Sequence, residues 1–324
     1  MTPQQMDNHE PKDQAPLVTV VIVNYNRRDD LRDALESVRK QDHEPVEVIV
    51  VDNASSDGSE QMLKAEFPQV RCIRLEKNIG MDGYTLACQA AQGQILFQMD
   101  NDSLMPDASV LSKVVAAFQQ ATADVAVMAT HVAEHRKGVD DVGQQRLKDQ
   151  RQGMLPTGGF HSGGVAFRKA LMDTVGYYNE DVFLYGAELF VQAKVWAAGY
   201  KLLYLPEVLM LHCGSGTARS PMGVYYETRN RYWFMRHYGS AWQQARHLPF
   251  MVLHDFVYAI HKKSLSRWRQ ALLEGFGPLP ASLQHKVRSP HPMFVQGVDR
   301  VGRSFSIGRT VARTWQRFLT AKSV

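Results

Sequence analysis

After sixteen mostly polar residues the chain enters a continuous apolar run, Leu17 to Val23 (LVTVVIV), and a second run, Val46 to Val51 (VEVIVV), begins 29 positions later. Between them Leu31, Leu35 and Val38 recur at helical spacing. The alternation continues. It predicts a helix over Ser56 to Phe67, a strand over Val70 to Leu75, a helix over Thr85 to Ala91 and a strand over Ile95 to Met99. Strands that alternate with helices and are solidly apolar belong to parallel sheets covered on both faces. The expected fold class is therefore α/β, a Rossmann-like and mainly parallel sheet with helices on both sides.

Such sheets bind ligands at the carboxyl ends of their strands. The residues just past the apolar runs are Asn24-Tyr25-Asn26, Asp52-Asn53 and Asp100-Asn101-Asp102. In ILFQMDND two carboxylates share one short loop, an arrangement suited to Mg2+ or Mn2+, which bind one or two carboxylates together with substrate phosphates. Acidic residues also cap helices, so the triplet is weak by itself. Further on, Val132 to Gly153 is charged and poor in apolar residues, the composition of a mobile loop or lid. Gly158 to Phe167 (GGFHSGGVAF) returns the chain to the sheet. There Gly163 and Gly164 either let the backbone approach a ligand closely, or mark a turn entering a strand. A helix is expected over Glu188 to Ala198, and short strands over Lys201 to Leu205 and Val208 to His212.

Charge divides the molecule. The 324 residues carry a net +4, but residues 1–218 hold 20 Lys and Arg against 29 Asp and Glu, whereas residues 219–324 hold 17 against 4. The expected organisation is a disordered 1–16, a catalytic 17–218 and a basic helical 219–324. The basic part predicts helices over Tyr225 to His237, Trp242 to His261, Trp268 to Phe276 and Ile307 to Leu319. The last has an apolar and an Arg-rich face, suited either to an anionic membrane interface or to packing on the main domain. No apolar run reaches the ~18 residues a spanning helix needs, because His254 and Asp255 interrupt Leu248 to Ile260. The N-terminus has no cationic start followed by an apolar run, and Cys72, Cys88 and Cys213 lack CxxC spacing. These features predict a cytoplasmic protein with reduced thiols, without a transmembrane anchor. Nucleic acid is not an expected partner, since the acidic part would repel a polyanion.

VTVVIVNYNR, VVDNASSDGS, Asn78-Ile79-Gly80, Asp100-Asn101-Asp102, Gly163-Gly164, FLYG at 183–186, AAGYKLLYLPE at 197–207 and His212 together resemble the family 2 glycosyltransferases with the GT-A fold. Tyr225-Tyr226 with Arg229-Asn230 resembles the YYxxRN segment of a bacterial branch that includes many rhamnosyltransferases. The resemblance implies an inverting transfer from a nucleoside diphosphate sugar, dTDP-rhamnose or a UDP-sugar, to a glycan or lipid-linked acceptor in surface polysaccharide synthesis. Asn24, Tyr25, Asn26, Asp52, Asn78, Gly80, Asp100, Asn101, Gly163, Gly164 and Arg229 would bind the nucleotide sugar, Arg229 at its diphosphate. Asp102 and His212 would hold Mn2+ or Mg2+. Tyr185 and Trp196 are candidates for stacking on sugar, although Trp196, in mid-helix, fits a core position. The family's E-D-x-D stretch is Ala187-Glu188-Leu189-Phe190 here, so Glu188 keeps a carboxylate at the base position while two neighbouring acids are lost. Those departures leave a second reading open, a non-catalytic sugar-nucleotide or glycan binding protein on a transferase scaffold. The resemblance leaves the oligomeric state undetermined.

Overall fold

The computed structural model describes residues 15–135, 152–214 and 221–303. Its first half is a repeated strand and helix: β1 (Val18–Asn24), α1 (Arg28–Arg39), β2 (Val46–Asp52), α2 (Ser59–Glu66), β3 (Arg71–Arg74), α3 (Gly83–Ala90) and β4 (Ile95–Asp100). There follow β5 (Ser103–Leu104), α4 (Val110–Gln120), β6 (Val125–Glu134), β7 (Leu155–Pro156), β8 (Val165–Arg168), α5 (Lys169–Val175), α6 (Ala187–Ala197) and β9 (Lys201–His212). The strands form one sheet in the order β3-β2-β1-β4-β8-β6-β9-β5, with β7 also paired to β9. Six of these nine strands run the same way, and β5, β7 and β8 run against them. The mainly parallel α/β fold expected from the apolar runs is the one observed.

Side chains that alternate along β1 and β2 enter two different cores. Val20, Ile22 and Val50 pack beneath α1, α2 and α4. Val21, Ile49 and Val51 face α3, α6 and the C-terminal helices. Those helices are α7 (Pro221–Tyr238), α8 (Ala241–His261), α9 (Leu265–Phe276) and α10 (Pro292–Arg303). Tyr232, Phe234, Tyr238, Met251, Phe294 and Val298 share the second core with the sheet, so the basic part is built into the fold. Trp196 is buried there, against Gly297 of α10.

Two expectations are corrected. Lys201 to His212 is one strand with a register shift where the apolar pattern suggested two. β6 extends through Glu134, so the first residues assigned to a mobile loop belong to the sheet because they pair with Leu209 to His212. Helix α10 had no sequence expectation attached to it. The helix expected over Ile307 to Leu319, residues 1–14 of the N-terminal 1–16 expected to be disordered, and residues 136–151 of the expected loop lie outside the described residues.

Candidate active site

Sheet register assembles the site. Asn24 pairs with Asp52, and Val23 with Asp100, which aligns the carboxyl ends of β1, β2 and β4. Strand β5 runs back along β9 and sets Ser103 beside His212, while β6 sets Glu134 beside the same histidine. The short return after Asp100 thereby brings Asp102 to the end of β9, where its carbonyl accepts a hydrogen bond from the Cys213 N–H at 2.7 Å.

Asp100, Asp102 and His212 each offer one ligand atom, and these atoms lie within 4.8 Å of one another. His212 Nε2 is 3.4 Å from Asp102 Oδ1 and 4.0 Å from Asp100 Oδ2, and its Nδ1 faces Glu134 at 3.2 Å. Arg27 Nη1 reaches the other oxygen of Asp102 at 2.9 Å. Burial, then the charge of Asp102, pushes the Asp100 carboxyl up, although the nearby imidazoles partly oppose this. Burial also acts to raise Asp102, but the hydrogen bond and charge of His212, with Arg27, outweigh it and hold Asp102 below the usual carboxylate range. The hydrogen bond to Asp102, with the surrounding carboxylates, raises His212 to about 9 against the effect of burial. Two oxygens and an imidazole nitrogen at the carboxyl end of a sheet form a donor set that fits a divalent cation of the Mn2+ or Mg2+ type.

Glu188 belongs to the same cluster. It stands in the first turn of α6, and its carboxyl is raised chiefly by burial and also by the charge of Asp100. The hydroxyl of Ser162 donates to Asp100 Oδ2 at 3.0 Å, and Ser162 acts to lower the nearby Glu188 carboxyl, against the effect of burial. The His161 ring packs edge-on to His212, with ring centroids 5.4 Å apart, and its Nδ1 accepts from the Gly163 N–H at 3.0 Å. The other two departures from the family stretch face inward: Ala187 is buried, and Phe190 is fully buried against Phe234 and Tyr238 at centroid distances of 5.7 and 5.8 Å. They fill the core contributed by α7.

The remaining expected binding residues fall into distinct places. Asn24 donates to Ser55 and Ser59 and accepts from Asn101 at 2.8 Å, so both asparagines tie neighbouring loops together. Asn26 bonds the Ser56 N–H at 2.8 Å, and Tyr25 beside it is exposed. Asp52 is fully buried and accepts from Arg74 at 2.5 Å and from the Ser55 N–H at 3.3 Å. Asn78 caps the Gly80 N–H. Gly80, at φ +64°, passes directly under Phe183, whose carbonyl a β-carbon would strike at 2.0 Å. Gly163 meets Ser103 and Val132, and Gly164 lies so close to Met210 and Thr130 that a β-carbon would come within 2.5 Å of each. Both glycines serve the packing of β8's entry, the blander of the two expectations.

Arg229 has partners other than a diphosphate. It is buried over the rings of Tyr225, Tyr226 and Trp233, and its guanidinium donates to Asn230 Oδ1, to the Tyr225 hydroxyl and, at 3.4 Å, to the carbonyl of Asp181. Three of the four non-glycine residues with positive φ among the described residues, Asn26, Ala54 and Tyr185, sit in these loops. Such backbone strain collects at functional sites. Sequence reasoning passed over Arg27, His161 and Ser162. A histidine and serine between glycine pairs, on a turn reaching a sheet edge, was the available signal.

Residues 19–176 match Glycosyl transferase family 2. That match spans just under half of the chain. It is 36% identical to the succinoglycan biosynthesis protein ExoO of Rhizobium meliloti over 118 residues, which span 36% of this chain but only 33% of that protein. It is 19% identical over 242 residues to the O-antigen chain rhamnosyltransferase RfbN of Salmonella typhimurium, spanning 69% of this chain and 76% of that one. Among solved structures, the mannosyltransferase PcManGT of Pyrobaculum calidifontis, in complex with GDP-Man and Mn2+, matches at a TM-score of 0.53 and 19% identity, over 97% of this chain and 90% of that one. S. aureus TarS 1-349 in complex with UDP-GlcNAc matches at 0.56 and 18%, over 90% and 92%. The fold is GT-A.

Proposed function

We propose that the protein is a family 2 glycosyltransferase that moves a sugar, with inversion, from a nucleoside diphosphate sugar to a hydroxyl of a glycan or lipid-linked acceptor in bacterial surface polysaccharide synthesis. The observation that carries the reading is the cluster of Asp100, Asp102 and His212, with Ser162 bonded to Asp100 and Glu188 buried close enough to Asp100 for the two charges to interact. Asp102 and His212, with Asp100, would hold Mn2+ or Mg2+, and the imidazole nitrogen favours Mn2+. The bound cation would neutralise charge on the departing diphosphate.

The protein's own residues have separate duties. Glu188 takes the proton of the acceptor hydroxyl as its oxygen bonds the anomeric carbon, while the bond from that carbon to the diphosphate breaks and the nucleoside diphosphate leaves. A carboxyl raised by burial is better matched to this work than an ordinary one. Ser162 holds the Asp100 carboxylate in place beside Glu188. Arg27 adds positive potential beside Asp102, where a diphosphate would lie. Asn24, Asn26, Asp52 and Asn101 shape the nucleotide loop by fixing it internally, and exposed Tyr25 is the side chain of that loop free to meet a base. The names of RfbN and WbaN, both O-antigen chain rhamnosyltransferases, support a deoxyhexose donor such as dTDP-rhamnose over other UDP-sugars or GDP-sugars. Ala187 and Phe190 are buried, Phe190 against Phe234 and Tyr238 of α7, which supports core packing as the reason for these two departures. A thermal-shift screen of dTDP-, UDP- and GDP-sugars with and without Mn2+ tests the proposal. A rise in melting temperature confined to one nucleotide class and enhanced by Mn2+ supports it, and no response to any donor counts against it.

A further inference from the structure

Among the described residues, one face of helix α8 is left largely exposed. Trp242, Arg246, Pro249, Leu253, Phe256 and Ile260 recur at steps of 4, 3, 4, 3 and 4 residues, which places all six on a single stripe of the helix. All six are exposed, and the large apolar ones are far from buried: Trp242 is 72% exposed, Leu253 52%, Phe256 38% and Ile260 50%. A soluble surface does not normally carry such a row. The opposite face of α8, with Met251, Asp255 and Ala259, is the one that enters the core.

The charge around this stripe has one sign. Residues 240–280 hold Arg246, Lys262, Lys263, Arg267 and Arg269, and the only acids there are Asp255 and Glu274. Asp255 is fully buried in an ion pair with Arg231, and Glu274 is engaged by Tyr225 and Gln270, so neither offsets the outward cations. The apolar row runs directly into the pair Lys262-Lys263 and then the exposed Leu265.

We propose that the α8 stripe, with Lys262, Lys263 and Leu265 at its end, docks on an anionic lipid bilayer. Leu253, Phe256 and Ile260 enter the boundary between headgroups and acyl chains, and the cations meet lipid phosphates. A second copy of the chain is a poorer occupant, because pairing two stripes would oppose like charges. Nucleic acid is poorer still, since it has no use for a row of leucine, phenylalanine and isoleucine. The surface is also joined to the site: α9, whose Trp268 packs on Phe256 at a centroid distance of 5.1 Å, bonds Tyr225 through Glu274, and Arg229 above Tyr225 reaches the loop that leads to Glu188. Docking would therefore hold a transferase site close to lipid-borne hydroxyls. This goes beyond the transferase reading and does not depend on it.

The experiment is co-sedimentation of the full chain with vesicles of phosphatidylcholine alone and of phosphatidylcholine with phosphatidylglycerol. The expected result is binding to the anionic vesicles that weakens with salt and is slight on the neutral ones. The triple variant Leu253→Ser, Phe256→Ser, Ile260→Ser loses that binding. The double variant Arg246→Gln, Lys263→Gln weakens it about 25-fold, at about five-fold per cation near the surface. Because all five positions are exposed, both variants keep the wild-type melting temperature and the wild-type donor turnover without vesicles. Failure of the transferase reading would instead appear as missing turnover in the wild type. Wild-type-like binding by the triple variant, equal binding to both vesicle types, or no vesicle binding at all overturns the proposal. So does a wild-type dimer in sedimentation equilibrium that the triple variant turns into a monomer.

Discussion

Asn230 donates from its single side-chain nitrogen to two consecutive carbonyls, those of Leu184 and Tyr185, at 2.8 Å each. Its side-chain oxygen is meanwhile held by the guanidinium of Arg229 at 3.0 and 3.1 Å. The chain just beyond these carbonyls is unusual, with Tyr185 at φ +53° and Gly186 at φ +75° before α6 begins. Glu188 stands two residues into that turn. The pair Arg229-Asn230 thus fixes, from α7, the left-handed step just before Glu188, the proposed base, and this is a physical role for the end of the YYxxRN segment.

Substituting Asn230→Ala leaves both carbonyls without that donor and frees the turn before Glu188. A displacement of the base by about 1 Å costs up to about a hundred-fold in rate. The expected outcome is a fall in kcat of that order with donor affinity, read by calorimetry, close to wild type. Equal losses in kcat and donor affinity, or no loss in either, would show that the clamp does not act through Glu188.

Glu188→Gln removes the proton acceptor while keeping its size. Turnover should fall about 10²- to 10⁴-fold, the usual contribution of a positioned base. Because burial raises the Glu188 carboxyl above the ordinary 4.5, the acid limb of the wild-type pH-rate profile should lie above that value. Glu188→Asp should retain a limb of the same shape at lower rate. An unchanged profile in Glu188→Gln would assign the base to another residue.

The cluster at His212 makes stability depend on pH in a defined direction. Its folded-state value of about 9 lies above the ordinary 6.5, so its contribution to stability is fully present below pH 6.5 and is lost as pH rises through about 9. Without metal, wild type should therefore lose more melting temperature between pH 6.5 and 9 than His212→Gln does. Mn2+ needs the neutral imidazole, so its stabilising effect should grow over the same interval. Identical pH slopes in the two proteins would contradict the assignment of His212.

Phe190 stands where the family pattern has an acid, and its surroundings decide what that change means. Restoring the acid by Phe190→Asp would bury a carboxylate among Phe234 and Tyr238, and the protein should fail to fold stably. Phe190→Ala should cost about 3–5 kcal/mol in urea denaturation, whereas Phe190→Leu should keep most of the activity. Raised turnover in Phe190→Asp would instead mark the position as a lost catalytic acid.

The strands were legible because parallel strands covered on both faces leave solid apolar runs, as in LVTVVIV and VEVIVV, and each run delivered its polar end to the expected edge. The cluster of Asp100, Asp102 and His212 was legible from the resemblance, not from spacing, since 110 residues separate its last two members and only the β5-β9 register unites them. Glycines misled where their neighbours were unknown: Gly80 and Gly164 look open in sequence but face Phe183 and Met210. Arg229 was read as free for an anion because a sequence cannot display three aromatic rings closing over it. His161 and Ser162 were hidden in a segment that looked only like a turn.

The most direct test of the whole account is release of nucleoside diphosphate from a nucleotide sugar by the purified chain, followed with Mn2+ present and after chelation, beside Asp102→Ala and Glu188→Gln. The account predicts Mn2+-dependent release by wild type that chelation abolishes and that both variants reduce to background. Equal background release in all three proteins, with a donor that binds and stabilises each of them, would contradict it and leave a sugar-nucleotide binding protein on a transferase fold.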